Sequence, residues 1–363
     1  MRIAQIAPLI ESVPPRLYGG TERVVSYLTD ELVRLGHEVT LFASGDSVTS
    51  AELVPCAPMA LRLDCNVRDP IPYYVLQLDR VRDRADDFDV LHFHIDHLHF
   101  PTFRPIADRT VTTLHGRQDL HDLKPLYVGF NDMPLVSISN DQRGPVSNSN
   151  FVATVHHGLP SDLFAPIYHP RGGYLAFLGR ISQEKRPDCA IRIAQAVGMP
   201  LKIAAKVDKA DETYFREVIA PLLTLPGVEF LGEINERQKN EFLGEARALL
   251  FPVDWPEPFG LVMIEAMACG TPVLAFRRGS VPEILDHGTT GAIVDSAEEA
   301  VAVLPQILAL DRRRVRRTFE QRFTSARMAK DYLQVYRSLL RASTRRYQEV
   351  PARRPAVLQS EMN

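Results

Sequence analysis

Two carboxylates eight residues apart, Glu257 and Glu265, bracket an apolar stretch in "DWPEPFGLVMIEAMACG", Asp254 to Gly270. Such a pair can be the acid and base of a glycosidase, or it can hold a hydroxyl-bearing ligand. The local sequence gives the two acids different surroundings. Glu257 stands between Pro256 and Pro258, and a residue before proline avoids the helical region, so Glu257 is expected in an extended segment. A helix can start only around Phe259 or Gly260. "LVMIEAMAC" is apolar almost all round, which marks a buried helix, with Gly270 as its cap and Pro272 preventing its return. Inside such a helix the Glu265 carboxylate costs several kcal/mol, by order of magnitude, unless donors meet it. The free N–H groups near Phe259, Gly260 and Leu261 form an anion site, and Gly260 lets a ligand approach the backbone. An anion flanked by carboxylates fits a phosphate between hydroxyl-bearing groups, the pattern of a nucleoside diphosphate sugar. Taken alone, the stretch is equally compatible with Glu265 paired to a buried Arg or Lys.

Two further stretches bear on the choice. In "FLGRISQEKRPD", Gly179 ends a strand, and Arg180 and Lys185 project from its carboxyl end. Arg offers a planar fork to phosphate oxygens and Lys a mobile point charge. Two cations and a helix N-terminus can neutralise a diphosphate without a metal; by itself the motif also reads as an exposed basic loop. In "LYGGTERVV", Gly19 and Gly20 stand between a strand and a helix, where a glycine pair permits close backbone approach. This is not a GxGxxG fingerprint, so dinucleotide binding is not supported.

Elements that would position these residues recur along the chain. Strand candidates are "RIAQIA", "EVTLFA", "DVLHFH", "TVTTLH", "LVSIS" and "VATVHH", then "YLAFLG", "LKIAAK", "VEFLG", "ALLFPV" and "PVLAF". Several lack clean alternation, as expected of strands covered on both faces. Between the first two, Val24, Val25, Leu28, Leu32 and Leu35 fall on one helical face that Gly36 ends. Strand, helix, strand implies a parallel sheet. The Pro- and Gly-rich stretch His157–Gly173 interrupts the alternation. The expected organisation is an N-terminal doubly wound α/β domain (1–160) and a linker (161–173). A second domain of the same kind (174–325) follows, then a helix (326–342) and a flexible tail (343–363). Ligands in such folds sit at the carboxyl ends of strands, here in the cleft between domains.

Composition narrows the classes. A 363-residue chain with net charge −3 argues against a general nucleic-acid binder, and no apolar run is long enough to span a membrane. The N-terminus is a poor signal peptide and the four cysteines form no CxxC pair, so a cytoplasmic protein with reduced thiols is expected. A local Cys56–Cys65 disulfide is the minor alternative. Peripheral membrane contact stays open, although the Thr21–Leu35 helix mixes acids with its bases and shows no strong basic face.

With "EPFGLVMIEAMACGTPV", "GRISQEKRP", "GGTERV" and "GSVPEILDHGTTG" together, the chain resembles the retaining glycosyltransferases of family 4. The resemblance runs from Met1 to about Tyr336. It implies the α/β GT-B fold, two facing Rossmann-like domains, the first (1–160) on the acceptor side and the second (174–325) binding the nucleotide sugar, with a C-terminal helix crossing back onto the first. It implies that Arg180 and Lys185 bind the donor diphosphate. Glu257 with the backbone at Phe259, Gly260 and Leu261 would hold the donor sugar and phosphate. Glu265 would bind the ribose hydroxyls, and Gly19–Gly20 would close over the phosphates. His115, in "TTLHG", takes the place of a family histidine near the transferred sugar; a plain strand-end hydrogen bond is the alternative. The donor base should lie near Gly232 and Glu233. The expected reaction moves a hexosyl group, glucosyl or mannosyl, from a nucleotide diphosphate sugar to an unidentified small-molecule, glycan or lipid-linked acceptor, with no cofactor or bound metal. His115, Arg180, Lys185 and Glu257 would be the catalytic set. The rivals are an epimerase or phosphorylase on the same fold, a glycosidase, and a catalytically silent nucleotide-sugar-binding protein.

Other motifs need smaller expectations. "HFHIDHLHF" offers His92, His94, His97, His99 and Asp96, an imaginable metal set; contacts from His94 or Asp96 to the cleft are favoured instead. "DFD", Asp87 to Asp89, imitates a metal motif but precedes a strand, where Asp87 suits a turn. Ser280 and Glu283 fit a capping box. The run Arg312–Arg317, flanked by acids, reads as a solvated helix face.

Overall fold

The computed structural model describes residues 1–16 and 18–349, with side-chain surroundings through residue 342. Seven parallel strands form the first sheet: β1 (Arg2–Ile6), β2 (Glu38–Ser44), β3 (Glu52–Ala57), β4 (Val90–Phe93), β5 (Thr110–Thr113), β6 (Leu135–Ser137) and β7 (Phe151–Thr154). Their order is β3-β2-β1-β4-β5-β6-β7. Six parallel strands form the second: β8 (Leu175–Arg180), β9 (Leu201–Lys206), β10 (Val228–Gly232), β11 (Ala248–Phe251), β12 (Val273–Phe276) and β13 (Gly291–Val294), in the order β10-β9-β8-β11-β12-β13. Both sheets reverse direction of growth beside their first strand, β1 or β8, which places a crevice at the carboxyl ends of the central strands. The architecture is the α/β GT-B arrangement of two Rossmann-like halves.

Every expected strand is present, and two more complete the sheets. β3 contains Pro55, whose missing N–H sits at the sheet edge, where it breaks no central ladder. β13 is only "GAIV", too short to show a period. Its first residue packs so closely that a Cβ at Gly291 would fall 1.8 Å from the Val273 carbonyl oxygen.

The helix Gly20–Arg34 buries Val24, Val25, Leu28 and Leu32. Against it lie Met328, Tyr332, Leu333 and Tyr336 of the C-terminal helix Ser325–Glu349. That helix therefore crosses back to the first half, and it runs further than 342: the first part of the expected tail, to Glu349, is helical, and the remainder of 343–363 lies outside the described residues. The chain passes between halves twice, and the passages run side by side. Leu159 N–H donates to Phe323 O (2.9 Å), and Ser325 N–H donates to Leu159 O (2.7 Å).

The arginine run is a solvated face only at Arg313, Arg314 and Arg317. Arg312 and Arg316 are buried. Arg312 donates to the carbonyls of Ala246 and Gly244, and Arg316 to those of Phe164, Ala268 and Ser161. These guanidinium groups satisfy carbonyls at two helix ends, Gly244 and Ala268, and in the neighbouring loops. The capping box at Ser280 is also absent. Ser280 Oγ instead donates to Phe259 O, and Glu283 reaches across the cleft. A capping box does form at Asn235 and Gln238, opening the helix Glu236–Gly244. All four cysteines are free thiols.

Candidate active site

The carboxyl ends of the central strands open on a cavity of about 470 Å³ between the halves. The first half supplies Gly19 and Gly20 after β1, His115 after β5, and Glu11, Glu22 and Arg62 from flanking segments. The second supplies Arg180 at the end of β8, Lys185, Glu233, Lys239, Glu257, Phe259, Gly260, Leu261 and Glu265. Of the expected site residues, Gly232 alone is not in the lining; it ends β10 with φ +70°, one residue before Glu233.

Local sequence explains the Glu257 loop. The Leu261–Ala268 helix begins after Gly260, whose φ of +77° only glycine adopts without strain. Glu257 is held extended in front of it, accepting from the Trp255 indole N–H (2.8 Å) and from Lys185. Gly279 lies against this loop, and a Cβ there would fall 2.3 Å from both the N and the O of Glu257. Lys185 Nζ also sits 4.9 Å from the Trp255 ring centroid, a favourable cation–π position. Glu265, buried as expected, pairs with Lys239 Nζ at 2.7 Å. The reading of Glu265 as partner of a buried cation is thus realised, and both members face the cavity. Arg180 is held more loosely, 3.5–3.9 Å from Asp211, Glu184 and Asp208. A ligand anion can compete for Arg180 at little loss, because ion pairs at such distances are weak.

Contacts across the cleft fix the two halves around the cavity. Arg23 pairs with Glu236. Ser139 Oγ donates to Pro258 O (2.7 Å), and Arg117 meets Glu184 (3.2 Å). Glu283 accepts from the backbone N–H groups of Asn140 and Asp141, both at 2.8 Å. Burial alone would raise the Glu283 carboxyl; hydrogen bonds from His156 and those two N–H groups bring it down to about 2.

The histidines form a buried set. His115 Nε2 lies 2.8 Å from His94 Nδ1, and burial pushes the His115 imidazole down to about 3. His92, His94 and His157 are likewise driven well below the usual imidazole range by burial. Among the described residues no group of His, Cys, Asp or Glu has the arrangement of a metal site. His92, His94 and His99 instead spend ring nitrogens on Thr113, Gln5 and Thr112. Asp96 has a left-handed backbone and does not line the cavity.

Sequence reasoning did not single out Lys239, Arg23, Glu236 or Trp255. Lys239 and Arg23 are charged positions that in sequence read as the solvated side of their helices. A signal did exist for Lys239, since Glu265 in a buried helix demanded a cation.

Comparisons with known proteins agree with this geometry. Residues 18–138 match the family model "Glycosyltransferase Family 4", and residues 169–322 match "Glycosyl transferases group 1". D-inositol 3-phosphate glycosyltransferase of Mycobacterium sp. (strain KMS) is 29% identical over 174 residues, 44% of this chain and 38% of that protein. The chain thus matches well under half of that relative's length. N-acetyl-alpha-D-glucosaminyl L-malate synthase of Bacillus anthracis is 24% identical over 89% of this chain and 95% of its own. Among solved structures, AviGT4, a glycosyltransferase involved in avilamycin A biosynthesis, superposes with TM-score 0.70 at 24% identity, covering 94% of this chain and 98% of that one. Anabaena HepE in complex with UDP and glucose gives TM-score 0.69 at 17% identity, covering 93% and 100%. No helix among the described residues is long and apolar enough to cross a membrane. Each half of the chain thus matches its own glycosyltransferase family model, on a GT-B fold of the kind AviGT4 has.

Proposed function

We propose that the protein transfers a hexosyl group, glucosyl or mannosyl, from a nucleotide diphosphate sugar to an acceptor, with retention at the anomeric carbon. One observation carries the reading. Arg180, Lys185, the N-terminus of the Leu261–Ala268 helix and the carboxylates Glu257 and Glu265 converge on a single cavity. Cations and free N–H groups suit a diphosphate; the flanking carboxylates suit the hydroxyls of a sugar and a ribose. Gly19 and Gly20 bring backbone close to the same place, with Glu233 near the base. HepE, named in complex with UDP and glucose, supports a donor of this class.

Departure of the nucleoside diphosphate leaves negative charge on its terminal phosphate. Arg180, Lys185 and the helix N-terminus meet that charge most strongly in the transition state, which lowers the barrier. Those groups supply the neutralising charge without a metal. The family 4 resemblance points to attack of the acceptor from the face the diphosphate leaves, with a donor phosphate oxygen taking its proton. Glu257 orients the sugar and His115 holds one of its hydroxyls.

The test is product analysis with a panel of nucleotide sugars and acceptors in the presence of EDTA. The expected products are a nucleoside diphosphate and an α-linked glycoside from an α-linked donor. A free epimerised sugar, a sugar phosphate formed only with added phosphate, or hydrolysis of aryl glycosides would replace this reading with one of its rivals.

A further inference from the structure

The histidine at the cavity wall is the end of a longer chain of hydrogen bonds. His115 Nε2 lies 2.8 Å from His94 Nδ1, and His94 Nε2 lies 2.8 Å from Gln5 Oε1. The Gln5 amide nitrogen donates to the Tyr336 hydroxyl at 3.1 Å. Tyr336 Oη lies 2.8 Å from His92 Nδ1, and His92 Nε2 lies 2.7 Å from Thr113 Oγ1. Gln5, His92, Thr113 and Tyr336 are fully buried, and His94 is 2% exposed. The series starts at the cavity, passes through Tyr336 of the C-terminal helix, and returns to that helix where Thr113 Oγ1 lies 2.9 Å from the Tyr332 hydroxyl.

Its protons can be placed in order. An amide oxygen only accepts, so His94 Nε2 carries hydrogen and donates to Gln5. A neutral imidazole has one N–H, so His94 Nδ1 is an acceptor and His115 Nε2 must donate to it. Burial keeps both rings neutral at ordinary pH. His115 is then left with a bare Nδ1. That atom is buried, has no partner among the described residues, and belongs to a side chain lining the cavity. In the other direction, the Gln5 amide donates to Tyr336, whose hydroxyl hydrogen goes to His92 Nδ1. The orientation of the Gln5 amide therefore sets the polarity of the whole series.

We propose that Gln5 and His94 are positioning residues that hold His115 as its Nε2–H tautomer, so that His115 Nδ1 accepts a hydrogen bond from a ligand hydroxyl. The hydroxyl-bearing ligand rests on the glycosyl-transfer reading; the tautomer does not. A ring fixed this way rejects a ligand that offers only an acceptor at that position, because two lone pairs would face each other.

Long-range ¹H–¹⁵N spectra of the ¹⁵N-histidine-labelled protein test the assignment, with His115→Asn identifying the His115 signals. The expected spectrum has His115 protonated at Nε2 and bare at Nδ1, and His94 likewise. A His115 ring protonated at Nδ1, or an even mixture, overturns the proposal. The second arm is Gln5→Met, which removes the acceptor from His94. It should mix the His115 tautomers and lower kcat by about ten- to a hundredfold, the usual effect of losing a histidine's orienting partner, with donor KM nearly unchanged. An unchanged tautomer and kcat overturn it as well. Failure of the wild-type protein to turn over any nucleotide sugar would defeat the glycosyl-transfer reading, and the spectrum would still decide the tautomer.

Discussion

Lys185 is paired with Glu257 in the site, and that contact separates a structural role from a functional one. Their side chains are 17% and 9% exposed. Removing one partner of a buried pair costs about 3–5 kcal/mol, because the other charge is stranded. Glu257 keeps its hydrogen bond from the Trp255 indole, and Lys185 is not fully buried, so Lys185→Met should fall at the low end, about 3 kcal/mol. Adding Glu257→Gln removes the stranded charge, and the double variant should return to within about 1 kcal/mol of wild type. Catalysis should behave differently. Loss of the Lys185 charge removes stabilisation of the leaving diphosphate and should lower kcat/KM by about ten- to a thousandfold, and the second substitution should not restore it. Thermal unfolding by circular dichroism gives the first quantity, and initial rates with the preferred donor give the second. Recovery of transfer together with stability in the double variant would refute the reasoning, since Lys185 would then serve only to neutralise Glu257.

Two further expectations concern the same region and the buried histidines. Gly279→Ala leaves every charge in place but drives a Cβ into the Glu257 backbone, so donor affinity should fall at least about tenfold (about 1.4 kcal/mol). Gly288→Ala, with φ +78° and open space around it, is the control and should bind donor normally despite a cost of about 1–2 kcal/mol. Equal donor affinity in the two variants would show that the loop tolerates the intrusion. Acid should destabilise the fold early. His92, His94, His115 and His157 have folded values below the ordinary 6.5, so the unfolded chain takes up their protons first. Their contribution is complete above about pH 6.5 and falls below it by up to about 1.4 kcal/mol per histidine per pH unit. Glu283, depressed to about 2, adds a second loss as pH falls from its ordinary 4.5 through that value. A melting temperature independent of pH between 7 and 5 would contradict the buried neutral histidines.

The parts of this site that were legible in the sequence are those written within one short segment. Pro256 and Pro258 dictate an extended Glu257, the apolar run dictates a buried Glu265, and Gly260 separates them. The strands written as aliphatic or β-branched runs were equally plain, even at three or four residues, whereas β3, interrupted by Pro55, and β13 were not. Pairings between segments were not legible. Lys239 reaches Glu265 across 26 positions, and Arg23 reaches Glu236 across 213. The need for a buried cation is local, but its source depends on how helices pack. Arg312 and Arg316 misled for the same reason: charge pattern alone favours solvent, whereas loop carbonyls under the helix Arg312–Arg322 capture both side chains. The His94–Gln5–Tyr336 series joins a strand end, a central strand and the C-terminal helix, and nothing in any one of them announces the others.

The central claim is that the cavity takes a nucleotide diphosphate sugar through Arg180, Lys185 and the helix N-terminus. Thermal unfolding with UDP-, GDP- and ADP-sugars in EDTA tests it most directly, because a ligand that binds only the folded protein must raise the melting temperature. The chain's one tryptophan, Trp255, lines the cavity and gives an independent fluorescence signal of occupancy. The account predicts a shift and a fluorescence change with one nucleotide series, both lost in Arg180→Ala and Lys185→Ala. No response to any series, or a response that survives in both variants, would contradict it.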